Sequence, residues 1–226
     1  MDDQNQQLDN PVWFALSETH AGYSISHANI KFYHPEFCPF GAITSASDLA
    51  EPLQAYSASC HNFYIVGQKP HVPSSLHLRK QLVCLQMMIE RNISYPSSEE
   101  IVNIGDDRAN ELFDLVNLVQ PGYFNSKTRL LGKYFGIFKD EMLVAVTGER
   151  MKMDGFTEVS AVVTHPEYTG RGYAKQLVAH TVNEILSESK IPFLHVAETN
   201  ANAIGLYQKL GFRKRRKMNF WKFEKV

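Results

Sequence analysis

The sequence predicts an α/β or α+β layer fold around a central sheet, with a smaller lobe ahead of it. Three observations lead there. From Glu99 onward, strand-like and helix-like patterns alternate. Residues 1–95 have another texture, rich in proline and in aromatics such as Trp13, Phe32, Tyr33, Phe40 and Tyr64. Finally, 226 residues with 44% hydrophobic and 21% charged side chains suit a globular chain that buries roughly 70% of its unfolded surface.

In the first part, the short apolar runs Asn29 to Tyr33 and Asn62 to Val66 read as strands. Leu76 to Ile89 fits helix or strand equally. Tyr95-Pro96-Ser97-Ser98 reads as a linker. The chain thus divides into an N-terminal lobe, 1–95, and a second domain, 99–226. In the latter, Glu100 to Ile104 is a short strand. Asp106 to Val119 carries a helical stripe of Ala109, Leu112, Phe113, Leu115 and Val116, stopped by Gln120-Pro121-Gly122. Lys133 to Phe138 and Met142 to Thr147 form a hairpin across Lys139-Asp140-Glu141, and Phe156 to Thr164 is a further strand. A long helix with Ala174, Leu177, Val178, Thr181, Ile185 and Leu186 on one face follows. Phe193 to Ala197 is strand, Ala201 to Leu210 helix, and two strands close the chain.

Charge narrows the function. With 23 basic and 24 acidic residues the formal net charge is −1, which lacks the positive field of a nucleic-acid binder. The run Arg213-Lys214-Arg215-Arg216-Lys217 reads as a solvated strand edge or as a contact for an anionic partner. Cys38, Cys60 and Cys84 have no metal-ligand spacing and read as free thiols in a reducing compartment. The polar start Met1 to Gln7 does not read as a signal peptide, and no apolar run reaches the ~20 residues that span a bilayer. A cytoplasmic protein without metal, membrane or nucleic-acid partner, monomeric or homodimeric, is expected. His165 and His195 lack spaced metal partners and read as structural.

The stretch Glu158 to Lys175 carries the chemistry. A strand runs into Thr169-Gly170-Arg171-Gly172-Tyr173-Ala174 and then into the long helix. Glycines let backbone N–H groups approach a phosphate closely, and a helix start adds unpaired donors and a positive dipole end. An anion site results, unless the glycines serve only the geometry of a tight turn. The Gly-Lys-Ser/Thr of a Walker loop is absent, and so is the third glycine of the dinucleotide fingerprint.

Together with Glu158-Val159-Ser160-Ala161-Val162-Val163-Thr164-His165-Pro166 before the turn and Asn200 to Phe212 after it, residues 99–226 resemble the GNAT superfamily of acyl-CoA-dependent N-acyltransferases. The resemblance implies a mixed central sheet flanked by helices, with acetyl-CoA as cosubstrate and an amine, a small molecule or amino acid, as acceptor. It implies diphosphate binding at Thr169, Gly170, Arg171, Gly172, Tyr173, Ala174 and Lys175; Gly172 and Ala174 match the motif, whereas Thr169 stands where the family carries Arg or Gln. It places the pantetheine arm along Val162, Val163 and Thr164, where a bulge would aim N–H donors at the thioester carbonyl, and gives cofactor contacts to Asn200 or Asn202. Asn200 reads independently as a helix cap.

By the same resemblance Glu158, fourteen positions before Gly172, is the candidate base, with Glu149 as runner-up, and Tyr207 is the acid for the departing thiolate. Their alternatives are an exposed strand glutamate and a core tyrosine. The first half is similar, more distantly, to the N-terminal lobe of the glycine-N-acyltransferase-like branch, which implies that it shapes the acceptor pocket. The loop Gln120 to Phe124 is a candidate acceptor wall. A protein N-terminus or lysine as acceptor, or a non-catalytic acyl-CoA sensor, are the competing readings.

Overall fold

A computed structural model describes residues 5–226; of the polar start, Met1 to Gln4 lie outside the described residues. Among the described residues eleven strands form one mixed sheet: β1 (Ser24–Ser26), β2 (Ile30–Tyr33), β3 (Phe40–Ile43), β4 (Asn62–Val66), β5 (Leu76–Met88), β6 (Val102–Asn103), β7 (Tyr134–Lys139), β8 (Met142–Lys152), β9 (Phe156–Thr164), β10 (Ile191–Ala197) and β11 (Arg213–Lys225). Their order is β1-β2-β3-β4-β11-β5-β10-β9-β8-β7-β6. The β3–β4 and β9–β10 pairs are parallel and the remainder antiparallel. The helices are α1 (Pro11–Ala15), α2 (Ala50–Ser59), α3 (Ala109–Val119), α4 (Tyr173–Ser187) and α5 (Ala201–Leu210).

Period-two alternation assigns the faces. On β5, Leu85 and Met87 join the core under α4 and α5, while Cys84 and Met88 join the core beneath the N-terminal segment with Leu8, Val12, Phe40 and Phe220. On β7, Phe135 packs toward α4, and Tyr134 toward α3. Helices α4 and α5 therefore cover one face, and α1, α3 and the N-terminal segment the other. The two outermost strands have three and two residues, short enough to offer little template for pairing with another chain.

The ambiguous Leu76–Ile89 stretch is strand. Cys84 to Met88 are all buried, as a central strand covered on both faces requires. β5 lies between β10 and β11, so the sheet runs across the texture change near residue 95. The two expected closing strands are one strand, β11, whose register shifts at Lys214/Arg216 and Lys222/Phe223 bend the ladder without ending it. The Glu100–Ile104 strand contracts to Val102–Asn103. The β7–β8 hairpin closes through Asp140 and Glu141, both at positive φ (48° and 65°), as the tight hairpin turn that matches strand twist requires.

The linker after β5 is pinned to α4. Asn183 accepts from the Ile93 N–H at 2.9 Å and donates to its carbonyl at 3.0 Å. Gln176 Oε1 accepts from the Ser98 and Glu99 N–H groups at 2.9 and 3.2 Å. Four of the five cations in the basic run are paired: Arg213 with Glu90, Arg215 and Arg216 with Asp9, and Lys217 with Glu198.

His20 ties the N-terminal segment to the turn before β7. Its Nε2–H donates to the Leu131 carbonyl at 3.0 Å and its Nδ1 accepts from the Tyr33 hydroxyl at 2.8 Å. Burial chiefly, helped by Lys152 and Lys190 against the Leu131 bond, lowers its pKa from 6.5 to about 4. A histidine held neutral stabilises the fold fully above its unfolded pKa, and that stability drains as pH falls from 6.5 to about 4. The expected loss is about 3 kcal/mol. Urea denaturation at pH 7 and pH 4.5 should show it in the wild type and much less of it in His20→Gln; equal losses would assign the acid sensitivity elsewhere.

Candidate active site

β9 and β10 pair only from Ile191↔Phe156 to Phe193↔Glu158 and then part. At the same point β9 bulges against β8. Val146 pairs with Val163 and Gly148 with Ser160, an extra residue on the β9 side, and Ala161 is left at φ +49°. A non-glycine residue rarely adopts that conformation unless its surroundings hold it there. The expected bulge thus falls on Ala161–Val162; Val163 and Thr164 are already back in register with Val146 and Ala145.

A cavity of ≈ 340 Å³ opens at this fork. Val159, Val196, Ala203 and Tyr207 line it from the α4–α5 face, and Phe40, Cys84 and Phe220 from the opposite face. The cavity therefore passes through the sheet where the two strands part. Its far compartment is walled by Phe40, Leu82, Tyr123, Phe124, Tyr134 and Phe220. The loop Gln120 to Phe124 does form a wall, and Tyr64 reaches across to donate its hydroxyl to Tyr123 at 3.2 Å.

Glu158 sits in the cavity lining at 1% exposure. Arg150 binds it with two prongs, Nε to Oε2 at 2.8 Å and Nη2 to Oε1 at 3.0 Å. His195 Nδ1 lies 2.9 Å from Oε1. A carboxylate only accepts, so Nδ1 carries the imidazole proton and Nε2 accepts from the Gln86 amide at 3.2 Å. Gln86 is fixed in turn by the Leu8 carbonyl (2.8 Å) and Arg215 (3.0 Å). Burial pushes the Glu158 carboxyl up, but Arg150 and His195 outweigh it and hold the group at about 2. It is no exposed strand glutamate.

The expected site residues divide into three groups. Glu158, Val162, Asn200 and Tyr207 line the cavity. Burial pushes the Tyr207 hydroxyl well up, so it keeps its proton. Asn200 also caps α5, accepting from the Ala203 N–H at 3.1 Å. Thr169 to Lys175 form a separate turn at the start of α4, outside the cavity wall. There Gly170 (φ +78°) and Gly172 (φ +82°) are left-handed, and α4 has no side-chain cap, so the first N–H groups of the helix stay available to a ligand. The Thr169 hydroxyl turns back onto the Pro166 carbonyl at 3.1 Å. The third group lies away from the cavity: Val163 is core, Thr164 is half-buried at the end of β9, Asn202 is exposed on α5, and Glu149 is buried against the Lys133 N–H and Lys152.

Arg150 and Gln86 escaped the sequence reading. A signal for Arg150 existed, since an antiparallel hairpin through 153–155 sets residue 150 beside 158; ending the strand at Thr147 hid it. Gln86 became visible only once β5 was placed in the sheet. Among the described residues no group of three or more His, Cys, Asp or Glu is arranged to hold a metal ion, and no helix is long and apolar enough to cross a membrane.

Comparisons with known proteins agree with this geometry. The family model described as FR47-like protein matches residues 134–221. A GNAT-family protein from Novosphingobium aromaticivorans is 30% identical, with 98% of this chain and 99% of that one aligned at a TM-score of 0.88. A GCN5-related N-acetyltransferase from Kribbella flavida (11% identity, 95% of each chain, TM-score 0.65) has the same fold. So does a GCN5-related N-acetyltransferase-like protein from Streptococcus suis (14% identity, 95% and 93%, TM-score 0.64). No curated protein matches the sequence. With a relative at 30% identity over nearly the full length of both chains, and with the expected bulge and glycine turn in place, the chain belongs to the GNAT family.

Proposed function

We propose that this protein transfers an acetyl group from acetyl-CoA to the amine of a small molecule or amino acid bound in the aromatic compartment. The observation that carries the reading is the cavity through the forked sheet, which connects a cofactor side bearing Tyr207 to an acceptor side bearing Glu158. The residues fit the cosubstrate. The left-handed glycines and uncapped start of α4 offer N–H donors to a diphosphate, and the unpaired edge of β9 beyond Glu158 can take the pantetheine arm. Donors near the bulge would polarise the thioester carbonyl, each contributing about 3–4 kcal/mol when well placed.

A carboxyl held near 2 is too weak a base to keep an amine's proton. Glu158 in this reading orients the neutral amine as a hydrogen-bond acceptor, and water carries the proton away. Tyr207 protonates the departing thiolate. The Tyr64–Tyr123 contact roofs the acceptor side, which favours a small acceptor over a polypeptide. The first half lines that side through Phe40 and Leu82, which supports inclusion in the glycine-N-acyltransferase-like branch; in this reading lobes 1–95 and 99–226 share one sheet through β5 and do not fold apart.

Calorimetry with acetyl-CoA, followed by free-thiol release across an amine panel, tests it. Tyr207→Phe should lower turnover about 100-fold while acetyl-CoA affinity stays within about twofold; a loss confined to affinity would remove the acid role. Uptake without thiol release from any amine would leave a sensor.

A further inference from the structure

The turn at the start of α4 offers its ligand backbone groups but few side chains. Thr169 is bonded to Pro166, and the Arg171 guanidinium lies 4.6 Å over the Tyr168 ring with Nη2 near the Glu167 carbonyl. The linker supplies a different side chain at that place. A Cβ built on Gly172 would lie 3.8 Å from the Tyr95 hydroxyl. This hydroxyl has no hydrogen-bond partner among the described residues, while its ring packs against the core beneath α4 and α5.

Tyr95 is held there on both sides. Asn183 clamps Ile93 two residues before it, and Gln176 clamps Ser98 and Glu99 just after. Pro96 biases Tyr95 itself to extended backbone. Both clamps belong to α4, the helix whose start forms the turn, so the hydroxyl and the helix N–H groups are fixed to one rigid element.

We propose that Tyr95 is a further cofactor-binding residue, whose hydroxyl donates a hydrogen bond to the diphosphate of the acyl carrier. The inference rests on the acyl-CoA reading above. A phosphate oxygen is charged and accepts such a bond strongly, and an aromatic side chain pinned in advance loses little freedom on binding.

The test compares acetyl-CoA with S-acetylpantetheine, which keeps the thioester arm and lacks the diphosphate. Tyr95→Phe retains the ring and its packing. It should weaken acetyl-CoA binding by roughly tenfold in calorimetry and leave kcat/KM with acetylpantetheine unchanged. Equal acetyl-CoA affinity in wild type and variant, or an equal loss with both donors, overturns the assignment while leaving the acyl-CoA reading in place. Failure of the wild-type chain to take up acetyl-CoA overturns both.

Discussion

A chain comprising only residues 99–226 should not fold. The truncation removes β5, which hydrogen-bonds to β10 on one edge and to β11 on the other. With it go the buried side chains Leu76, Cys84, Leu85, Met87, Met88 and Ile89. At about 1.5–3 kcal/mol for each large apolar side chain, their loss rivals the 5–15 kcal/mol that holds a typical domain together. β10 and β11 would also face each other across a missing strand, leaving unpaired backbone groups in the centre of the sheet. The expected fragment has no cooperative urea transition and little amide dispersion by NMR, and it takes up no acetyl-CoA. Co-expression with residues 1–95 should recover the fold by returning the strand. A fragment that unfolds cooperatively on its own would show the second half to be independent.

Arg150→Met is expected to be the most damaging single substitution in the site. It leaves the Glu158 carboxylate buried without its two-pronged partner, at a cost of about 3–5 kcal/mol. The contribution of Glu158 to the pH dependence should change sign. In the wild type the Glu158 pKa is depressed to about 2, so its contribution is complete above 4.5 and is lost as pH falls from there toward 2. Without Arg150, burial dominates and raises the pKa, so the gap in stability between variant and wild type should narrow as pH falls from 7 to 5. Replacing both charges, Arg150→Met with Glu158→Leu, should bring the urea midpoint most of the way back, with thiol release still abolished. A single variant as stable as wild type at pH 7 would show that water reaches Glu158.

How much of this the chain announces depends on the range of the interaction. Phe156–Thr164 and Ala201–Leu210 coincide with their expected limits because local signals bound them: an apolar alternation ended by His165-Pro166, and a helix opened by Asn200 and closed by Gly211. The glycine turn was apparent for the same reason, as left-handed backbone selects glycine over a few residues. β5 was not, since Leu76 to Ile89 lacks a clear period and its neighbours lie more than a hundred residues away. The same distance hid Gln86 from His195, and with it the network that orients Glu158. The bulge could be inferred only from resemblance: an alanine gives no hint of positive φ, and the extra residue is counted only against the partner strand.

The central position of Leu76–Met88 bears on how the protein is made. β10 begins at Ile191 and β11 at Arg213, so about 100 residues must leave the ribosome before either neighbour of this strand exists. At roughly 5–20 residues per second, it waits for 5 seconds or more with apolar positions and both edges exposed. Synthesis in vivo should therefore depend on chaperone capacity, most of all at raised temperature.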